Sequence, residues 1–321
     1  MKALVIGATG YVGSHVACAL ASRGHAVTGF ARSAQSVHAL GQVGYAAVFA
    51  SLDNLPALDA LVGSFDIVVT AAKMPFEAEA PIMRAIVTSC ASGVTSHLLF
   101  TSGTALLSTS ARDGAWSQYS FAEDDPFPLQ VQRNLPARIE TEKFIRSAAR
   151  GGLATFVIRP PLIYGNGGSI QIPAIFESAR ETGSACYVGL GLNLYSAVHV
   201  EDLAEIYCLA IERGVPGALY HAVSGEANFR SIAEAVAAVV GCDTKSLTYE
   251  QACALWGANR VDIALAANSR SIAKRTVEEL GWRPRHLDVI EDIRSGSYRH
   301  AYRQLLMSEA GQPVPTGLDD V

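Results

Sequence analysis

Lysine is scarce in this sequence: five residues among 321, within a charged fraction of 17% and a formal net charge of −5. A chain this poor in positive charge builds no basic field, so nucleic acid and anionic membrane surfaces are excluded as partners. Long apolar runs are missing as well. The early stretch "ALVIGATGYVG", from residue 3, is broken by small and turn-prone residues, and reads neither as a signal core nor as a membrane span. No targeting segment and no membrane partner are expected. The six cysteines (Cys18, Cys90, Cys186, Cys208, Cys242 and Cys253) contain no Cys-x-x-Cys and no Cys/His cluster at ligand spacing. The expectation is therefore no metal, and free thiols in a reducing cytoplasm. Internal repeats and low-complexity linkers are absent too.

What the sequence does have is apolar content, 50% of the chain, enough to fill a large core. It is arranged in short runs. "KALVI" (2–6), "AVTGF" (26–30), "AAVFA" (46–50), "DIVVT" (66–70), "HLLFT" (97–101) and "ATFVIR" (154–159) each read as a buried strand. Helical patterns such as 12–22 and 81–92 lie between them. Strand and helix in alternation predict right-handed crossovers and an α/β, doubly wound parallel sheet. Beyond residue 159 the rhythm changes to a Pro/Gly loop, a helix over 201–213, a strand near 217–223 and a mostly helical remainder. The final stretch "AGQPVPTGLDDV" has no apolar periodicity, and 311–321 are expected to form a flexible tail.

Directly after the first strand, "GATGYVG" places Gly7, Gly10 and Gly13 ahead of a helix. Glycines there let the backbone approach a pyrophosphate, and the helix N-terminus offers unpaired N–H groups to its charge. The end of the second strand selects among dinucleotides. An acidic residue would favour NAD(H); "GFARS" instead supplies Arg32 and Ser33, so NADP(H) is favoured over NAD(H) through a guanidinium facing a 2′-phosphate.

Six collinear segments, "GATGYVG" at 7, "DIVVTAAK" at 66, "LLFTSGTALLS" at 98, "VIRPPLIYGNGG" at 157, "SAVHVEDLAEIY" at 196 and "ELGWRP" at 279, resemble those of the extended short-chain dehydrogenase/reductases, the NAD-dependent epimerase/dehydratase group. The resemblance implies a Rossmann domain (1–164 plus about 196–223) and a smaller, mostly C-terminal substrate domain (about 165–195 and 224–310). It implies that Thr9, Tyr11 and Val12 join the glycines at the pyrophosphate, and that Ser51 and Leu52 lie at the adenine. Ala71, Ala72 and Lys73 would sit beside the nicotinamide ribose, and Pro160 to Ile163 would border the nicotinamide. It also implies a homodimer paired through helices flanking the sheet, with a monomer left open.

The same resemblance exposes a departure. Relatives carry a Ser/Thr after the fifth strand and a Tyr-x-x-x-Lys on the next helix, where the ammonium lowers the phenol's pKa for proton exchange. None of the eleven tyrosines here has Lys four residues on. Collinear matching puts Gly103, Asn134 and Arg138 at the three positions. Remaining catalytic candidates are Ser102, Thr104, Lys73, Tyr164 and Arg138. Each has a plainer role: loop capping for the two hydroxyls, ribose contact or exposure for Lys73, packing for Tyr164, hydrogen bonds to the cofactor ribose for Arg138. Tyr119 and Glu123 fall in a long loop read as a solvated acidic segment, His199 as a domain-interface residue, and Asp202 as opening a helix. Three readings stay open: an oxidoreductase acting on a small carbonyl or alcohol with a non-standard proton donor; a redox-neutral isomerase, cyclase or lyase; and a catalytically inert dinucleotide sensor.

Overall fold

The computed structural model describes residues 1–128 and 135–307. Its strands are β1 Lys2–Ile6, β2 Ala26–Ala31, β3 Ala46–Phe49, β4 Ile67–Thr70, β5 His97–Thr101, β6 Thr109–Ser110, β7 Ala154–Arg159, β8 Leu162–Tyr164, β9 Ser184–Val188, β10 Leu194–His199, β11 Leu219–His221, β12 Gly225–Asn228, β13 Asp243–Leu247 and β14 Ala267–Asn268. Seven form one sheet in the order β11-β7-β5-β4-β1-β2-β3, parallel throughout. The strand order reverses between β1 and β4, the switch point at which a doubly wound sheet opens a crevice. Such a sheet needs apolar side chains on both faces. Leu4 and Ile6 accordingly pack with Val68, Leu98 and helices on one side, and Ala3 and Val5 with Val69, Leu99 and helices on the other.

The helices that frame the crevice are α1 Tyr11–Ser22, α2 Ala34–Gln42, α3 Leu55–Val62, α4 Phe76–Ser92 and α5 Leu135–Ser147, then α6 Gln171–Thr182 and α7 Val200–Arg213. Helix α4 starts five residues before the expected 81, with Pro81 inside it. As the sixth helical residue, Pro81 forfeits the bond back to the carbonyl four residues earlier, and its ring crowds that carbonyl. Pro136 is the second residue of α5, where a proline fits; Asn134, matched by resemblance to the relatives' Tyr, lies outside the described residues, as does the 311–321 tail.

A second apolar cluster lies apart from the large sheet, built on β8, β9, β10, α6 and α8 Phe229–Val240. Its strands form two small sheets, β12-β10-β8 and β13-β9. The loop that follows β5 is pinned to this layer and is not free. β6 pairs antiparallel with β14, and Phe121 exchanges backbone bonds with Arg270 (3.0 Å) and Ile272 (2.9 Å). The turn at 189–193 joins in, with Leu190 N–H on Asp113 O (2.8 Å) and Leu192 N–H on Gly114 O (2.7 Å). Glu123 corrects the solvated-loop reading: it is buried, accepting from the N–H of Arg275 (3.1 Å) and Thr276 (3.2 Å) and from the Thr276 hydroxyl (3.2 Å). Tyr119 is exposed.

Candidate active site

The loop after β1 is glycine by necessity. Gly7 has φ +96°, and a Cβ there would lie 2.7 Å from Ala72 N and 2.8 Å from Ala71 C. At Gly13 a Cβ would fall on the Gly7 carbonyl oxygen. The loop closes with Gly10 N–H on Gly7 O at 2.9 Å, and Gly10 then caps α1 without any side-chain cap and with no acidic residue in the first turn. An uncapped, acid-free helix N-terminus behind a close-packed glycine loop fits a dinucleotide pyrophosphate. Thr9 and Val12 lie within this segment, and Tyr11 opens the helix.

Arg32 directly follows β2, exposed, with no hydrogen-bond or ion-pair partner among the described residues. Ser33 has a prior engagement: its hydroxyl accepts from Ser36 N–H at 3.1 Å and caps α2. Ser51 is exposed and bonds Asp53, whereas Leu52 is buried in the core under the sheet. Ala71 continues β4, its N–H on Ile6 O at 2.8 Å; Ala72 is half-buried and Lys73 exposed.

At the end of β5 the three successive residues differ. Ser102 is held by its backbone N–H on Ile158 O (2.8 Å), and its hydroxyl is buried with no hydrogen-bond partner among the described residues. Gly103 has φ −178°, an extended conformation open to any residue, and among the described residues a Cβ there would meet only Pro160 O, at 3.7 Å. Thr104 is fully buried and bonds Ser269, hydroxyl to hydroxyl at 3.1 Å. Of the two flanking hydroxyls, then, that of Ser102 is the one without a partner among the described residues. Buried polar atoms are rarely left so.

Helix α5 brings two arginine–carboxylate pairs to this edge. Arg138 binds Glu79 of α4 through both Nε (3.2 Å) and Nη2, and Glu79 is buried. Four residues on and on the same helical face, Glu142 takes Arg159 in the same two-pronged way, Nε to Oε1 at 2.9 Å, with both side chains buried. Arg159 also reaches His221 Nε2 at 3.5 Å. Burial, reinforced by that guanidinium, lowers the His221 pKa to about 4, so the ring is neutral at physiological pH. The ground assigned by resemblance to Lys thus carries a guanidinium aimed at a carboxylate 59 residues earlier, which spacing alone could not reveal.

Tyr164 sits in the second apolar cluster, 1% exposed, edge-on to His199 at 5.3 Å between ring centroids, and burial raises its pKa. Its ring packs in that cluster, and its hydroxyl, like that of Ser102, is buried with no hydrogen-bond partner among the described residues. Next to it the fold gathers His199, Glu201 and His286, whose ligand atoms lie within 4.8 Å of one another. This cluster escaped sequence reading because His286 comes from far along the chain. The two imidazoles stack at 3.9 Å and 25°, however, and lone pairs lie in the ring planes, so they run side by side rather than converging on one ion. His286 Nδ1 is also bonded to Asp202 (3.1 Å), which accepts the backbone N–H groups of Arg285 and His286 too. Asp202 anchors the C-terminal segment as well as opening α7.

A parallel doubly wound sheet with a glycine loop and an uncapped helix at its first crossover defines a dinucleotide-fold protein. The chain belongs to the NAD dependent epimerase/dehydratase family, whose profile matches residues 3–222. It is 28% identical over 314 residues to an uncharacterized protein of Schizosaccharomyces pombe, covering 93% of this chain and all of that one. It is also 28% identical over 251 residues to a 2-alkyl-3-oxoalkanoate reductase of Stenotrophomonas maltophilia, covering 73% and 71% of the two chains. Among solved structures, a UDP-glucuronic acid 4-epimerase of Bacillus cereus, determined with NAD, superposes with a TM-score of 0.74 at 15% identity, covering 95% of this chain and all of that one. At that identity the likeness is one of fold.

Proposed function

We propose that the protein is an NADP(H)-dependent oxidoreductase acting on a carbonyl or alcohol, with Ser102 as the polar contact for the reacting oxygen. The observation that carries this reading is the buried, unpartnered Ser102 hydroxyl beside the open space at Gly103. The backbone N–H groups at the start of α1 hold the pyrophosphate, and Arg32 receives the 2′-phosphate. When bound, the cofactor supplies or accepts hydride. In the reductive direction, Ser102 passes its hydroxyl proton to the substrate oxygen as hydride reaches the carbon, and solvent water then returns a proton to Ser102. Arg138, fixed by Glu79, contributes a permanent positive charge instead of an exchangeable proton. General acid catalysis is worth about 10² to 10⁴ in rate, so a hydroxyl donor gives a slow but real enzyme where binding and orientation are kept.

The substrate is a small molecule with an apolar substituent. Trp116, Leu190 and Leu192 are exposed on the loop and turn that the Asp113 and Gly114 carbonyls tie together, and the named Stenotrophomonas relative acts on an alkyl oxo compound. The protein works in the cytoplasm, as a homodimer or a monomer; no helix among the described residues is long and apolar enough to cross a membrane. The test is NADPH oxidation across a panel of 3-oxo esters and alkyl ketones, with Ser102→Ala lowering kcat about tenfold to a hundredfold while NADPH affinity holds. Arg32→Asp should weaken NADPH far more than NADH. The engagement of Arg138 by Glu79 favours a second reading, a redox-neutral enzyme or dinucleotide sensor; tight NADPH binding with no turnover on any carbonyl would select it.

A further inference from the structure

The turn at 165–168, just beyond β8, is gripped from three directions. From α1, the Tyr11 hydroxyl donates to Gly165 O at 2.7 Å, and the Tyr11 ring lies so close to Gly168 that a Cβ there would run into it. Burial raises the Tyr11 pKa well above that of a free phenol, so the hydroxyl remains a donor. From the same helix His15 takes part: its Nδ1 bonds Tyr11 O at 2.7 Å, which only a protonated Nδ1 can do, leaving Nε2 to accept from Asn166 Nδ2 at 2.9 Å. From α7, Glu201 Oε1 accepts from Asn166 at 3.2 Å. From the C-terminal helices, Tyr298 accepts the Gly165 N–H (3.2 Å) and donates to Gly168 O, while Ser297 Oγ accepts the Gly167 N–H (3.0 Å) and passes on to Asp292 (2.9 Å).

One further fact singles out this turn. Asn166, at φ +52°, is the one non-glycine residue in the left-handed region among the described residues. Conformations of that kind persist where the surroundings over-determine them, and they cluster at switches and clamps. Here the surroundings are the first turn of the pyrophosphate helix on one side and the C-terminal helices on the other.

We propose that Tyr11 is a positioning residue which, through the 165–168 turn, couples occupancy of the dinucleotide loop to the ordering of the C-terminal helices around residues 289–302. The proposal rests on the dinucleotide reading of the previous section. The backbone of Tyr11 lies where the pyrophosphate would bind and its hydroxyl holds the turn, so any shift of the first turn of α1 reaches Gly165 through one hydrogen bond. Tyr298 and Ser297 carry it on. Coupling of this kind is reciprocal, so a compound bound against the C-terminal layer tightens the cofactor in return.

The test is amide hydrogen exchange of the peptides spanning 162–170 and 289–302, in the full chain, with and without saturating NADPH. In the wild type NADPH should slow exchange in both segments. In Tyr11→Phe, which removes only the hydroxyl, the protection of 289–302 induced by NADPH at a concentration that saturates the variant should fall about three- to tenfold, the leverage of one buried hydrogen bond. Asn166→Gly accepts the same backbone angle and should fold as well as the wild type, yet also lose the protection. If Tyr11→Phe and Asn166→Gly retain it in full, or if bound NADPH leaves 289–302 unprotected in the wild type, the coupling is wrong although the cofactor assignment stands. Failure of the wild type to bind NADPH at all would overturn both.

Discussion

Gly13, in the first turn of α1, and Gly103, in the loop after β5, each lie just beyond a strand of the large sheet, at the same edge, and they are glycine for opposite reasons. At Gly13 a single added carbon would strike the Gly7 carbonyl; at Gly103 it would find its nearest neighbour 3.7 Å away on an ordinary extended backbone. The first loop is therefore dictated by its own packing. The second is an open position that the backbone does not require. Close approach to a dinucleotide demands the first arrangement, whereas under the proposed reaction the second would leave room for a substituent on the reacting carbon. Structure at the β5 edge comes instead from charge: Glu79 with Arg138, Glu142 with Arg159, and Glu123 holding the N–H groups of 275 and 276.

This contrast can be broken at its strongest point by Glu142→Gln. Leaving Arg159 buried without its carboxylate should cost about 3–5 kcal/mol, read as a fall in the denaturation midpoint; a loss below about 1 kcal/mol would show that the β5 edge does not depend on charge. Gly13→Ala should come next, at about 2–4 kcal/mol together with loss of measurable NADPH binding in calorimetry, because backbone has to move.

Acid should then reveal the ionic edge. His221 has a folded pKa of about 4 against 6.5 when free, so between those values the unfolded chain binds the extra proton. Stability is full above about pH 6.5 and falls as pH drops toward 4, by an amount on the order of 3 kcal/mol for this ring. Burial lowers the pKa of His25, His97 and His199 in the same direction. His221→Gln should flatten part of the slope in urea titrations run at pH 5 and 7, and an unchanged slope would count against a buried neutral ring. The smallest stability effect belongs to Gly103→Ser, within about 0.5 kcal/mol, since space and φ both allow it. Its consequence should appear in KM for bulky carbonyl substrates; a collapse in stability would mean that Gly103 is structural after all.

Apolar runs such as "KALVI" and "HLLFT" announced the parallel sheet because buried strands have no alternative pattern, and their bounds agree with Lys2–Ile6 and His97–Thr101. The glycine loop was legible because Gly7, Gly10 and Gly13 act on one another over seven positions, although Gly7 is also confined by Ala71 and Ala72. What stayed hidden spans long separations. Nothing local to Arg138 points to Glu79, nothing near Glu123 marks it as a buried anchor, and the His199–His286 stack joins residues 87 positions apart through Asp202. Ser102 and Thr104 looked equivalent in sequence; only the position of Ser269 separates the bonded hydroxyl from the unpartnered one.

The order in which the sheet is completed bears on how the chain is made. Strand β11, at one end of the sheet, lies sixty residues beyond its neighbour β7, and β8, β9 and β10 intervene. During synthesis the backbone edge of β7 therefore stays unpaired until residues 219–221 have emerged. A nascent or truncated chain ending before them presents an apolar strand edge open to pairing with another copy. Expression of such fragments should yield aggregates, and the excursion through 162–218 is the interval in which a ribosome-associated chaperone would have most to protect.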